Sequence, residues 1–261
     1  MKKNGARASA TSRALAIGRM SAPVSHELNN LLGAILANAE LIDRLGRREP
    51  LSVSAPEILP SLVAPIVRSA TRAGLLTRQW LEMSLIDGPA QAIELLDELP
   101  ACAVLLEALL GPRILLRVDL APDAGSIEVQ RGAWLLALAD AAANARRSIT
   151  RSSGHGSGRQ GEVHLHARRA WPDESEGLVG TDFATICLSD DGAGISEEQG
   201  VALLEVEGPD GFAGLRAFCL RTGGRVLLRG TPGVGTAVAM VLPAAGRRAA
   251  SRMYLADPDG L

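Results

Sequence analysis

Aromatic side chains are scarce in this chain: three Phe, three Trp and one Tyr among 261 residues, 3% in all. A core must then come from Leu, Val, Ile and Ala, and at 47% hydrophobic residues there are enough to build one. Such a composition leans towards helix packing. Cysteine is as rare. Cys102, Cys187 and Cys219 are odd in number, far apart and set in apolar stretches. That argues against a disulfide framework or a metal cluster and suits buried thiols in a reducing compartment. Basic charge is not in excess either. Lys and Arg number 27 against 29 Asp and Glu, a net charge of −2, without the basic stripe of a general nucleic-acid binder. No apolar run approaches the roughly 18 residues that cross a bilayer. The basic opening "MKKNGARASATSR" lacks the apolar centre of a secretory signal. The expectation is a cytoplasmic protein that engages neither membrane nor nucleic acid, with residues 1–11 as a disordered tail.

What the chain does have is helical periodicity. Ile17, Met20, Val24, Leu28, Leu31, Ile35, Ala39 and Ile42 step by three or four, a single stripe along a helix from Ser12 to Arg47. "GRREPLSVSAPE", Gly46 to Glu57, has the Gly, Pro and Ser content of a turn. A second helix follows from Ile58 to Ile86, with Leu62, Ile66, Ala70, Ala73, Leu76, Trp80, Leu81 and Leu85 on one side. Residues 12–88 thus read as an antiparallel helical hairpin. A lone hairpin cannot hide its stripe, so pairing with a second copy as a four-helix bundle, a homodimer, is expected.

"DGPAQ", Asp87 to Gln91, breaks the pattern. Beyond it "AIELLDELP" and "RILLRVDLAP" read as strands with the helix "ACAVLLEALLG" between them, and Ala133 to Ile149 as a strong helix. "SSGHGSGRQG" reads as a loop, "EVHLHARRA" as an alternating strand, and "DFATICLSDDGAGI" as a strand running into a glycine turn. "EEQGVALLEV" and "GFAGLRAFCLRTGG" are helical, and "RVLLRG" with "GTAVAMVLP" forms a closing hairpin. The fold class is α+β, with an α/β sandwich over residues 90–245. Residues 246–261 form a C-terminal tail.

The chemistry is concentrated in "SHELNNLLGAILANAELIDR", Ser25 to Arg44. His26 lies off the apolar stripe, and its neighbours at plus four and plus seven are Asn30 and Gly33. It therefore points outwards. An exposed histidine on a solvated face is the ordinary reading. The sharper one is a nucleophile, because imidazole titrates close to neutral pH and its neutral form carries a free lone pair. Glu27 would accept the proton of one ring nitrogen, leaving the other free to attack. Asn30, one turn on, would orient a water or a phosphoryl oxygen.

"MSAPVSHELNNLLGAILANAELI" resembles the H-box of two-component sensor histidine kinases, and "RAGLLTRQWLEMS" the second helix of the same dimerisation domain. The resemblance implies His26 as phosphoacceptor, Glu27 as its acid/base partner and Asn30 as the residue used in dephosphorylating the partner. Where the family often has proline five residues after the histidine, this chain has Leu31.

A phosphoacceptor needs a phosphoryl source. In "DAAANARRSI" Asn144 reads either as a surface residue or as an oxygen ligand of a hard cation. "LSDDGAGIS" reads either as a plain turn or as a carboxylate beside a backbone that turns tightly against a ligand. The first resembles the N-box of the same kinases, which implies Asn144 on Mg²⁺, with Arg147 where several members place a cation against the phosphates. The second resembles their G1 box, which implies Asp190 reading the adenine amino group and Gly192 and Gly194 as the permissive turn. "GTPGVGTAVAMVLP" resembles the final glycine box, with Gly235 and Thr236 near the phosphates. The resemblance runs from Leu15 to Pro243 and implies ATP and Mg²⁺ as cofactors, a kinase-type α/β sandwich, and a response-regulator receiver domain as partner.

The segment after the G1 box departs from the family. No phenylalanine box is present, and only "SEEQGVALLEVEGPD" separates Ile195 from Gly211. Gly211 stands at the last glycine of the lid motif, whereas Glu207 and Pro209 occupy earlier glycine places. Proline removes an N–H and glutamate adds negative charge, so ATP binding is expected to be weakened. Three functions follow. One is a kinase passing phosphoryl from Mg-ATP to His26 and on to a receiver aspartate. Another is a histidine phosphotransferase fed by an upstream kinase, its nucleotide domain serving for docking. The last is a non-catalytic partner of another kinase, which would leave His26 idle. His164 and His166 share a strand face but lack further ligands for a metal. Trp80 and Trp134 read as packing, and "ARRSITRS" as a solvated helix end.

Overall fold

The structure is a computed structural model that describes residues 2–47, 55–84, 88–152, 160–180, 182–206 and 211–245. The expected turn around 48–54, most of the glycine loop (153–159) and the tail 246–261 lie outside the described residues.

Two long helices open the chain, α1 (Lys2–Arg47) and α2 (Ala55–Ser84). They pack on each other, and Glu27 meets Arg72 at a similar distance back from the connection on each, so the pair is antiparallel. The periodic stripe explains the contact: Met20 and Val24 are buried and Leu28 packs against the same core. On α2, Leu76 and Met83 are buried and Trp80 is packed beside them. α1 begins at Lys2, where the sequence led to the expectation of a disordered tail over 1–11. The Ala, Arg and Ser of that stretch carry the helix on, since none of them interrupts it as Pro would.

The rest of the chain forms β1 (Gln91–Glu94), α3 (Leu95–Leu110), β2 (Ile114–Leu120), β3 (Ser126–Val129), α4 (Arg131–Ser152), β4 (Gly161–Arg169), α5 (Pro172–Ser175), β5 (Phe183–Asp190), α6 (Glu197–Leu203), α7 (Ala213–Arg221), β6 (Arg225–Thr231) and β7 (Gly235–Pro243). Five strands make one sheet in the order β2-β4-β5-β7-β6, parallel only between β2 and β4. β1 and β3 form a separate antiparallel pair. α3, α4 and α7 pack on the sheet and on each other. Between them Trp134 is fully buried, its ring centroid 6.3 Å from that of Phe218. The fold is α+β, a helical hairpin followed by an α/β unit.

β4 alternates as its sequence does. Gly161, Val163, Leu165 and Ala167 are buried, while His164 and His166 share the other face. His164 Nε2 lies 3.0 Å from Glu162 Oε1, and among the described residues no cluster of His, Cys, Asp or Glu could hold a metal. β5 is buried on both faces from Phe183 to Leu188, and α5 reaches the Thr185 face through Glu174. There Arg168 forks onto Glu174 at 2.8 and 2.6 Å, Thr185 donates its hydroxyl to Glu174 at 2.8 Å, and the Arg168 guanidinium stacks 3.6 Å from the Trp171 ring centroid.

Three local expectations change. "AIELLDELP" is strand only to Glu94. Leu95, Leu99, Cys102, Leu105 and Leu109 then run on at helical spacing, with Asp97 and Glu98 in a first turn that favours acids. β3 and α5, four residues each, are too short to carry a period. The three cysteines are free and buried.

The hairpin is joined to the α/β unit by side chains as well as apolar packing. Gln79 of α2 donates Nε2 to the Ala101 carbonyl at 2.7 Å. Arg131 of α4 reaches Glu82 of α2 through Nε at 2.7 Å and Glu98 of α3 through Nη1 at 2.9 Å. Among the described residues no helix is long and apolar enough to cross a membrane.

Candidate functional site

On α1 the buried stripe fixes what faces out. With Met20 and Val24 inward, His26 and Asn30 are exposed one turn apart. Glu27 is half-buried, and its carboxylate turns to Arg72 of α2, which donates Nε to Oε1 at 3.2 Å. The same guanidinium reaches Glu107 of α3 through Nη2 at 2.9 Å. The sequence expectation had Glu27 taking a proton from the ring beside it. In the structure it serves Arg72 instead, because adjacent residues on a helix project about 100° apart. His26, Glu27, Asn30, Arg72, Glu107 and Arg146 line one cavity of about 670 Å³ between the hairpin and the α/β unit.

A second cavity, of about 80 Å³, lies on the other side of α4 and is bounded by Asn144, Arg147, Ser148, Asp190, Gly194 and Thr236. The β5–β7 register puts Asp190 opposite Thr236 and so brings two distant motifs together. Asp190 Oδ1 accepts the Gly192 N–H at 2.9 Å, and its carboxylate also hydrogen-bonds the Ser148 side chain. Burial pushes the Asp190 carboxyl above its ordinary range, against the pull of those hydrogen bonds. Gly194 has φ +68°, and a Cβ there would stand 1.9 Å from the Thr231 carbonyl oxygen, so only glycine lets the turn close. A Cβ on Gly235 would meet the Asp190 carbonyl oxygen at the same 1.9 Å.

Asn144 is occupied at both ends. Its Nδ2 donates to the Gly211 carbonyl at 3.3 Å, and its Oδ1 accepts from Arg147 Nη2. Gly211 therefore lies beside Asn144; Glu207 and Pro209 lie outside the described residues. At one end Asp190 offers a half-buried carboxylate as hydrogen-bond acceptor among Ala141, Leu188 and Ile195, an arrangement that suits an amino group. The other end, as it stands, does not fit Mg²⁺, since a guanidinium already holds the Asn144 oxygen. The space is also well short of the roughly 300 Å³ at which small-molecule pockets begin.

Residues 16–89 match the His Kinase A (phospho-acceptor) domain family. The hairpin is thus similar to the phospho-acceptor domain of histidine kinases. A curated relative, the "Sensor kinase CckA" of Brucella abortus (strain 2308), is 25% identical over 186 residues, covering 69% of this chain. The chain spans only 18% of that kinase's length. Among solved structures, the Acinetobacter baumannii histidine kinase AdeS aligns at 14% identity over 85% of this chain and 98% of that one, with a TM-score of 0.45. The ATP binding domain of PrrB from Mycobacterium tuberculosis aligns at 22% identity over 61% and 100%, with a TM-score of 0.44.

Sequence reasoning missed Arg72, Glu107 and Ser148. Ser148 was within reach, since it follows Asn144 by four on the same helix and so shares its face. Arg72 and Glu107 meet across 35 residues of chain, and no local pattern signals such a pair.

Proposed function

We propose that the chain performs phosphoryl transfer in two-component signalling through His26, as a protein-histidine kinase that takes the group from ATP and passes it to an aspartate of a response-regulator receiver domain. One observation carries this reading: an exposed imidazole on a long helix, within the matched phospho-acceptor domain, at a cavity large enough for a partner's side chains. A neutral ring nitrogen offers its lone pair to phosphorus, and Glu27, held by Arg72, keeps negative charge one residue from the ring. Asn30, exposed one turn further on, can orient a water or a phosphoryl oxygen without adding charge. ATP, when bound, supplies the phosphoryl group. Asp190 would accept the adenine amino group and Thr236 would stand beside it, while Gly192, Gly194 and Gly235 let backbone approach. The exposed Leu32, Leu36, Val63 and Val67 give the hairpin an apolar face for a second copy, which supports a homodimeric bundle.

A second reading has its own support. The cavity of about 80 Å³ and the Arg147–Asn144 contact favour a histidine phosphotransferase that receives phosphoryl from an upstream kinase by way of a receiver domain. Incubation with labelled ATP and Mg²⁺, beside a His26→Ala control, separates the two. Label lost in the control supports the kinase. No label and no nucleotide binding, with uptake from a phosphorylated receiver domain, supports the phosphotransferase. Failure of both transfers refutes the role given to His26.

A further inference from the structure

The cavity beside His26 holds two guanidinium groups, those of Arg72 and Arg146, and two carboxylates, those of Glu27 and Glu107. Its charges therefore balance while the histidine is bare. A phosphoryl group on the ring adds up to two negative charges and three strong acceptor oxygens to this space, and a cation must then change partners. Arg146 is committed through Nη1 to the Leu109 carbonyl at 3.0 Å. Arg72 is differently placed. Nε holds the half-buried Glu27, whose side chain is 24% exposed; Nη2 holds Glu107, which is 42% exposed and can turn to water. Its Nη1 donors have no partner among the described residues. A planar fork with spare N–H groups is the geometry that takes two oxygens of one phosphoryl group.

Resting on the reading of His26 as phosphoacceptor, we propose that Arg72 is a phosphoryl-binding residue of this site, which takes the oxygens of phosphorylated His26 in exchange for Glu107. Glu27 keeps the guanidinium in place throughout. Because Glu107 belongs to α3, phosphorylation loosens one of the ties between the hairpin and the α/β unit.

Phosphoramidate tests this with the full chain and needs neither ATP nor a partner protein. The lone pair of a neutral His26 nitrogen forms the new P–N bond as the old one breaks. Ammonia leaves with the bonding pair, and the ring's other nitrogen keeps its proton. Phosphorylation rate and the ³¹P pH titration of the phosphohistidine are read for wild type, R72A, R72K and E107Q, with circular dichroism to confirm folding. The expected result is acceptance slowed by roughly ten- to a hundredfold in R72A, and an intermediate rate in R72K, which keeps charge without the fork. E107Q is expected to be no slower than wild type. The phosphoryl titration should move up in R72A and not in E107Q. Equal rates and titrations in wild type and folded R72A overturn the assignment, as does parallel slowing in R72A and E107Q, which marks a purely structural clasp. If R72A does not fold, R72K and E107Q decide by the same opposite signs. A wild-type chain that takes no phosphoryl on His26 overturns the underlying reading, and the Arg72 proposal with it.

Discussion

Replacing Arg131 with methionine should destabilise the chain by an amount that depends on pH. Arg131 ties Glu82 of α2 and Glu98 of α3 to the start of α4, and the Glu98 side chain is only 8% exposed. Methionine restores much of the volume but leaves a buried carboxylate without its cation, near a second one on Glu82. Removing one partner of a buried pair costs about 3–5 kcal/mol. Arg131 is itself 29% exposed, so water recovers part of this, and about 2–3 kcal/mol is expected near neutral pH. The sign with pH follows from Glu98. Burial already raises its pKa above the ordinary 4.5, and the Arg131 charge is the main force holding it down. A raised folded pKa stabilises below the unfolded value and loses that stability as pH rises through the folded one. Without Arg131 the folded value rises further, so the deficit is largest near neutrality and shrinks towards about pH 4.5. Urea unfolding followed by circular dichroism, near pH 7.5 and again near pH 5, measures both quantities. An added Glu98→Gln change should recover most of the loss at the higher pH. A deficit below about 1 kcal/mol, or one that is the same at both pH values, would refute the argument.

Glu174 carries the opposite dependence. Burial alone would raise its pKa, but the Arg168 fork, the Trp171 N–H and the Thr185 hydroxyl hold it at about 2. The group therefore stabilises the fold above about pH 4.5, and that stability is lost as pH falls towards 2. Glu174→Gln should cost about 3 kcal/mol near neutrality and almost nothing at the acid end, flattening the acid limb of a stability–pH curve; an unchanged limb would contradict this. Burial also pushes the Cys187 thiol up to about 11 and Cys219 to about 12. Near pH 8 iodoacetamide should leave all three buried cysteines intact in the folded chain and modify them in urea, as intact-mass spectrometry would report. Rapid alkylation of the native protein would contradict that burial.

The hairpin was legible because its stripe repeats over many turns, so that Met20, Val24 and Leu76 announce their burial by spacing alone. Asp190, Gly192 and Gly194 were legible as a carboxylate followed by a turn that needs glycine. That Asp190 faces Thr236 was not, because strand register between distant segments is set by the whole sheet. Leu95 to Pro100 misled because it was read as the end of a strand, although the helical spacing runs through Pro100. The position of Asn144 on a helix face was readable. That Arg147 folds back onto its oxygen was not, since that choice belongs to rotamers and neighbouring charge. Arg72 shows the same limit more sharply. Its partners come from α1 and α3, and only the folded chain brings them within reach of a single guanidinium.

Arg146 and Arg147 are neighbours in sequence, yet α4 sends them to different chambers, one beside His26 and the other beside Asp190. A study that neutralised the "ARRS" cluster as one basic patch would merge two effects with separate origins. Single replacements keep them apart. A one-residue insertion earlier in α4 would instead turn everything after it by about 100°, putting Arg146 where Arg147 now stands and Ala145 in the place beside His26.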